Sequence, residues 1–196
     1  MLDAARRRGA ELGVTNVGYQ VLDAERIELD DDSVDGVLCR LGYMLMGDAA
    51  TALAETRRVL RPGGRVTLAL LGRRNPIRSL RWRGWLSCSG VICRRLSPPR
   101  AGHLLHGNAE RTSTLLKDAG FDEVRTEEVP VVFDVPDADG YLRFVVDAAG
   151  PLAMALCHLS DAERDEIKED LEESLTPFAA EDGYHLPGRV LCAVGS

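Results

Sequence analysis

The stretch from Asp48 to Leu71 constrains the fold more than any other part of the chain. Asp48 is a good N-cap, and Ala49, Ala52, Leu53, Val59 and Leu60 follow it at helical spacing, so a helix with one apolar face is expected there. Arg61-Pro62-Gly63-Gly64 then stops the helix, because proline cannot continue it and glycine tolerates positive φ. Arg65-Val66-Thr67-Leu68-Ala69-Leu70-Leu71 is a nearly continuous apolar run, the pattern of a strand covered on both faces of a parallel sheet. Helix, tight turn and buried strand in that order point to layered α/β architecture, and argue against all-helical and all-β folds.

The flanking segments agree. Ala4 to Leu12 has helical composition, with Gly13 as its stop, and Val17 to Leu22 alternates apolar and polar residues like a strand. Asp30-Asp31-Asp32-Ser33 reads as a solvated turn before a second strand, Val34 to Cys39. Asn108 is placed to cap a helix through Ala119, closed by Gly120. Val124 to Val129 and Val131 to Val135 are strand-like and separated by Pro130. Asp137 or Asp139 caps a helix through Ala149, ended by Gly150-Pro151. Ser160 opens a capping box ahead of the stripe Ile167, Leu171 and Leu175, and Arg189 to Val194 is a last apolar strand. A mostly parallel sheet is therefore expected. Three parts follow: 1–72 as the core that begins the domain, 73–107 as an insertion, and 108–196 as helices and strands that complete the sheet.

Composition excludes several functions. The chain has 196 residues and a net charge of −7, which disfavours nucleic acid as the main partner because backbone binding needs a cationic face. Twelve arginines nonetheless lie between Arg57 and Arg100 with no acid among them, so a local basic patch is expected there. The five cysteines (Cys39, Cys88, Cys93, Cys157, Cys192) are odd in number and scattered, which fits a reducing, cytoplasmic setting rather than a disulfide framework. No apolar run approaches the roughly 20 residues of a membrane span, and the N-terminus lacks the apolar stretch of a signal peptide.

Leu22-Asp23-Ala24-Glu25, then Asp35-Gly36-Val37-Leu38-Cys39, then Arg58-Val59-Leu60-Arg61-Pro62-Gly63-Gly64, followed by the helix ending Leu115-Leu116 and Ala119-Gly120-Phe121, resemble the class I S-adenosylmethionine-dependent methyltransferases. The nearest likeness is to the ubiquinone/menaquinone-biosynthesis-like branch. The resemblance implies a Rossmann-like sheet, S-adenosylmethionine as cofactor and a small, apolar methyl acceptor. It implies that Asp23 accepts from the exocyclic amine of adenine while the backbone at Ala24 meets the ring. It also puts Arg40, Leu41 and Gly42 beside the methionine part, and Tyr43 near the transferred methyl. The family's Gly-x-Gly-x-Gly loop and the following ribose-binding acid have no counterpart before Asp23. The expected fold is thus a class I sheet lacking its first two strands, in an N-terminally shortened chain with impaired cofactor binding. A catalytically inactive remnant serving as a binding or scaffold protein is the alternative.

Residues 73–106 are read as a helical lid over the acceptor. His103 and His106 within it are candidate general bases, since an oxygen nucleophile must lose a proton near neutral pH. Residues 77–86 mix Trp82 and Trp85 with arginines, which suits either a hydrophobic substrate or peripheral contact with an anionic membrane. Cys88, Cys93, His103 and His106 fit zinc spacings poorly, so no metal is expected. Oligomeric state is not legible.

Overall fold

The computed structural model describes residues 2–72, 107–148 and 160–196. Helix α1 (Leu2–Glu11) precedes strand β1 (Val34–Arg40), helix α2 (Ala49–Val59) and strand β2 (Leu60–Leu71). Helix α3 (Ala109–Asp118), strand β3 (Arg125–Val135), helices α4 (Ala138–Ala148) and α5 (Asp161–Leu175), and strands β4 (Ala179–Ala180) and β5 (Gly183–Gly195) follow. The strands form one sheet in the order β1-β2-β5-β3, with β4 paired to β5.

The caps act as the sequence suggests. Asp48 Oδ1 accepts from the Ala50 and Thr51 amides at 3.0 and 3.2 Å, and Asn108 Oδ1 accepts from Arg111 N at 3.1 Å. Both satisfy amide donors that a helix start otherwise leaves without partners.

Three expectations need correction. First, among the described residues only β1 and β2 pair in parallel, whereas β5 runs antiparallel to β2, β3 and β4. The chain re-enters the sheet where β3 left it, with Val135 opposite Tyr184, so β5 must run back between β2 and β3. Second, Pro130 does not divide β3; it sits in register with Arg189. β3 is an outer strand, where a proline forfeits little of the hydrogen-bond ladder. Third, Val17 to Leu22 forms no strand and does not lie against β1. Val17, Val21 and Leu22 are 50%, 81% and 40% exposed, since an extended segment without a partner strand has nothing to hold its backbone.

The main core lies on one face of the sheet. Leu53 of α2, Leu116 of α3 and Phe121 pack on Val66, Leu68 and Leu70 of β2 and on Leu191 and Ala193 of β5. β2 was expected to be covered on both faces, yet Thr67, Ala69 and Leu71 are only half-buried, so coverage is complete on one side alone. A second cluster joins Val135, Ala138, Tyr141, Leu171, Leu175 and Leu186, which places the expected α5 stripe against α4 and the far end of the sheet.

At the end of β2, Gly72 N donates to Arg189 O at 2.8 Å, and Gly107 N donates to Leu71 O at 3.0 Å. A Cβ at Gly107 would meet Leu71 O at 2.7 Å, so the close backbone approach requires glycine there. Gly72 and Gly107 thus lie side by side at the end of β2. The lid reading, Trp82, Trp85, the membrane-contact segment 77–86, Cys88, Cys93, His103 and His106 lie outside the described residues, as does Cys157.

His185 clasps the β3–β5 end of the sheet. Its Nδ1 lies 2.8 Å from Asp134 Oδ1 and its Nε2 2.9 Å from Asp182 Oδ1. The hydrogen bond to Asp182 is the largest cause raising the imidazole above its ordinary 6.5, and the same bond lowers Asp182 below 3.8. A raised histidine contributes stability that is fully present below its unfolded value and is lost as pH rises through the folded one. The lowered carboxylate's share is present above 3.8 and is lost as pH falls through its depressed value. An NMR titration should therefore place the His185 midpoint above 6.5, and Asp182→Asn should move it down. A midpoint at or below 6.5 would show that the clasp does not form in solution.

Candidate functional site

Asp23 to Arg26 forms a tight turn. Arg26 N donates to Asp23 O at 3.1 Å, and Glu25 N donates to Asp23 Oδ1 at 2.9 Å. The side chain thereby fixes its own turn, as aspartate often does. Asp23 stays exposed while Ala24 packs against the main core. Glu25 Oε1 accepts from Asp48 N at 2.8 Å, which seats the turn against the N-terminal end of α2.

The second part of the site is the end of β1. Leu41 N donates to Ala69 O at 2.8 Å, and Leu41 then adopts a φ of +59°, a left-handed conformation uncommon outside glycine. Strain of this kind persists only where surrounding contacts enforce it, and it clusters at functional sites. A Cβ at Gly42 would meet Cys39 Sγ at 2.6 Å, so the chain turns here within the width of one side chain. Ala24, Cys39, Met44 and Met46 all pack on one cluster, so the Asp23 turn and the β1 end rest on the same core.

Tyr43 is 3% exposed, and its ring is part of that core. Thr56 Oγ1 donates to Ala52 O at 2.8 Å, which leaves it to accept from the Tyr43 hydroxyl. Burial raises the phenol above 10.0, so Tyr43 stays protonated as an interior donor. Arg40 is exposed, Leu41 and Gly42 are half-buried, and the candidates His103 and His106 lie outside the described residues. The described residues include no group of three or more His, Cys, Asp or Glu able to hold a metal ion. An open groove of about 540 Å³ over β3 and β5, bordered by Arg65, Arg125 and Cys192, contains none of the candidate residues.

Sequence reasoning missed Glu25, Glu55 and Arg58. Glu55 and Arg58 carry one readable signal, opposite charges three apart on a helix, but that spacing is equally common on solvated faces.

A family described as "Methyltransferase domain" matches residues 1–68. The described fold is that of the Rossmann-like class I methyltransferases. The ubiquinone/menaquinone biosynthesis C-methyltransferase UbiE of Acidiphilium cryptum is 42% identical over 66 residues, which are 33% of this chain and 26% of that protein. The protein of the same name from Pseudomonas syringae is 30% identical over 141 residues, 63% of this chain and 52% of that one. The chain thus spans about a quarter to a half of the curated relatives it matches. Among solved structures, Bacillus subtilis YcgJ aligns with a TM-score of 0.59 at 18% identity, over 100% of this chain and 77% of that one. The Haemonchus contortus phosphoethanolamine N-methyltransferase 2 complex with S-adenosyl-L-methionine aligns at 0.53 and 19%, over 100% and 41%. No described helix is long and apolar enough to cross a membrane.

Proposed function

We propose that this chain carries the adenine-binding edge of an S-adenosylmethionine-dependent methyltransferase acting on a small apolar acceptor. The observation that carries the reading is the Asp23–Ala24 turn, fixed against α2 immediately before the β1–α2–β2 unit. The residues present fit the adenine end: Asp23 Oδ1 is held by Glu25 N, and Oδ2 has no partner among the described residues, so it is available to accept from an exocyclic amine. Ala24 adds only a methyl group beside the backbone there. Arg40 to Gly42 fit a second contact, because strand ends are where α/β sheets bind ligands. The cofactor, when bound, supplies an electrophilic methyl group on a sulfonium.

The chain's own contribution is positioning. Oriented groups hold the reactants in line, and the protein forms no covalent bond. Tyr43 supports the wall of the site from inside the core, and the acceptor's proton falls to a base outside the described residues, for which His103 and His106 remain the proposal. The ribose and methionine parts of the cofactor need a fuller cradle than Asp23, Ala24 and residues 40–42 provide. The outer edge of β1, where Leu38 is 79% exposed, is where further strands would add to complete it.

Ligand-detected NMR with S-adenosylmethionine tests the reading. Asp23→Ala should weaken binding about tenfold, the effect of losing one charge-assisted hydrogen bond, and Asp23→Asn should weaken it less. Equal affinity in all three proteins would remove Asp23 from the site.

A further inference from the structure

Residues 23–33 connect the adenine turn to β1 with neither helix nor strand, so their backbone groups need partners from elsewhere. Beyond the bonds within the turn itself and Arg61 Nε, which donates to Asp32 O at 3.1 Å, the partners come from α2. Glu55 Oε2 accepts from Ile27 N at 2.9 Å. Arg58 donates to Ile27 O at 2.7 Å, to Leu29 O at 2.9 Å and to Asp31 Oδ1 at 2.6 Å. It also donates twice to Glu55, through Nε and Nη2, each at 2.9 Å. Those five bonds match the five N–H groups of a guanidinium. Asp32 N and Ser33 N then donate to the Arg58 and Val59 carbonyls at 3.1 and 2.9 Å.

We infer that Glu55 and Arg58 are positioning residues for base recognition: they hold the segment that carries Asp23 and Ala24, so selectivity for adenine depends on them although neither reaches the ligand. This rests on the reading of Asp23 as the adenine acceptor. The physical case is one of rigidity. Asp23 can distinguish an amine from an oxo group only if its carboxylate is kept at one distance and angle. A second tether between the turn and α2 is the Glu25–Asp48 bond. A lysine at position 58 keeps the charge but offers a compact ammonium in place of a planar fork, so it cannot reach Ile27, Leu29, Asp31 and Glu55 together.

The test uses the full chain and two probes, S-adenosylhomocysteine and S-inosylhomocysteine, which differ at the 6-position of the base. The wild type should prefer the adenine probe by about tenfold, the worth of one hydrogen bond to a charged acceptor. Arg58→Lys should bring that preference within about twofold, Glu55→Gln should reduce it less, and amide exchange should accelerate at Ile27, Asp32 and Ser33 but not in α3. Leu175→Ala, a destabilising change in the second core cluster, should leave the preference at the wild-type value. A preference retained in Arg58→Lys, or lost equally in Leu175→Ala, overturns the inference. Should the wild type itself not discriminate, the adenine reading of Asp23 fails. The tether is then judged on exchange alone: acceleration confined to residues 25–33 upholds it, and unchanged exchange overturns it.

Discussion

Titrating S-adenosylmethionine into the 196-residue chain is expected to give a dissociation constant in the millimolar range or weaker. A small-molecule site of this general kind works at about 1 μM to 1 mM. Much of such affinity for a nucleoside cofactor comes from backbone amides of a glycine loop at a helix N-terminus and from an acid on the ribose hydroxyls. The sequence contains no Gly-x-Gly-x-Gly, and no acid at the end of a strand precedes Asp23. Two or three missing hydrogen bonds to charged or polarised partners, at about 1.5–3 kcal/mol each, remove on the order of two to six decades of affinity. The described residues offer the candidate adenine turn and the β1 end. Joining the first two strands and glycine loop of a relative ahead of Ala4 should recover about 100-fold or more, because they would pair with the β1 edge and supply those contacts. Micromolar binding by the chain alone, measured calorimetrically, would refute the incomplete cradle. No gain on fusion would refute the claim that the edge of β1 is where the missing contacts belong.

Local signals carried the order of elements well and the sheet's directions poorly. Asp48 and Asn108 were readable as caps because a capping side chain acts within three residues of itself. The α5 stripe of Ile167, Leu171 and Leu175 was readable because burial follows helical spacing there. Val17 to Leu22 has the alternation of a strand, but alternation records only what a segment can do when a neighbour is available. The antiparallel course of β5 depends on where α4 and α5 return the chain, which no local pattern encodes. At the candidate site, Asp23 and Ala24 were singled out through a family likeness. The Arg58 tether was not, since an arginine three residues from a glutamate looks alike whether it faces water or holds a loop by its backbone. Tyr43 could be placed near the site by its neighbours in sequence, but its burial against Thr56 follows from the short 3-10 turn at Tyr43–Leu45 folding under α2.

Phe121→Ala is expected to lower stability by about 3–5 kcal/mol, the range for removing a fully packed aromatic. Phe121 is 1% exposed and is the largest fully buried side chain among the described residues. It also finishes α3: Gly120 N donates to Lys117 O at 2.9 Å and Phe121 N to Leu116 O at 3.1 Å, with Gly120 at a φ of +91°. That is a Schellman motif, whose usual apolar contact joins the residue after the glycine to the helix's last turn, here Phe121 to Leu116. The Arg57 guanidinium lies 5.9 Å from the ring centroid on one side, and the last residues of β5 press from another, where a Cβ at Gly195 would meet Phe121 Cβ at 3.0 Å. Helix, sheet and C-terminal strand thus converge on one ring, and little around it can collapse to refill the space. At about 2–4 °C per kcal/mol for a chain of this size, the melting temperature should fall by roughly 6–20 °C. Phe121→Leu, which keeps most of the volume, should cost about 1.5 kcal/mol or less, and Arg57→Ala about 0.5–1 kcal/mol through the lost cation–π contact. If denaturant midpoints show the leucine and alanine variants equally destabilised, the ring's volume is not what holds this junction, and the backbone turn at Gly120 must carry it instead.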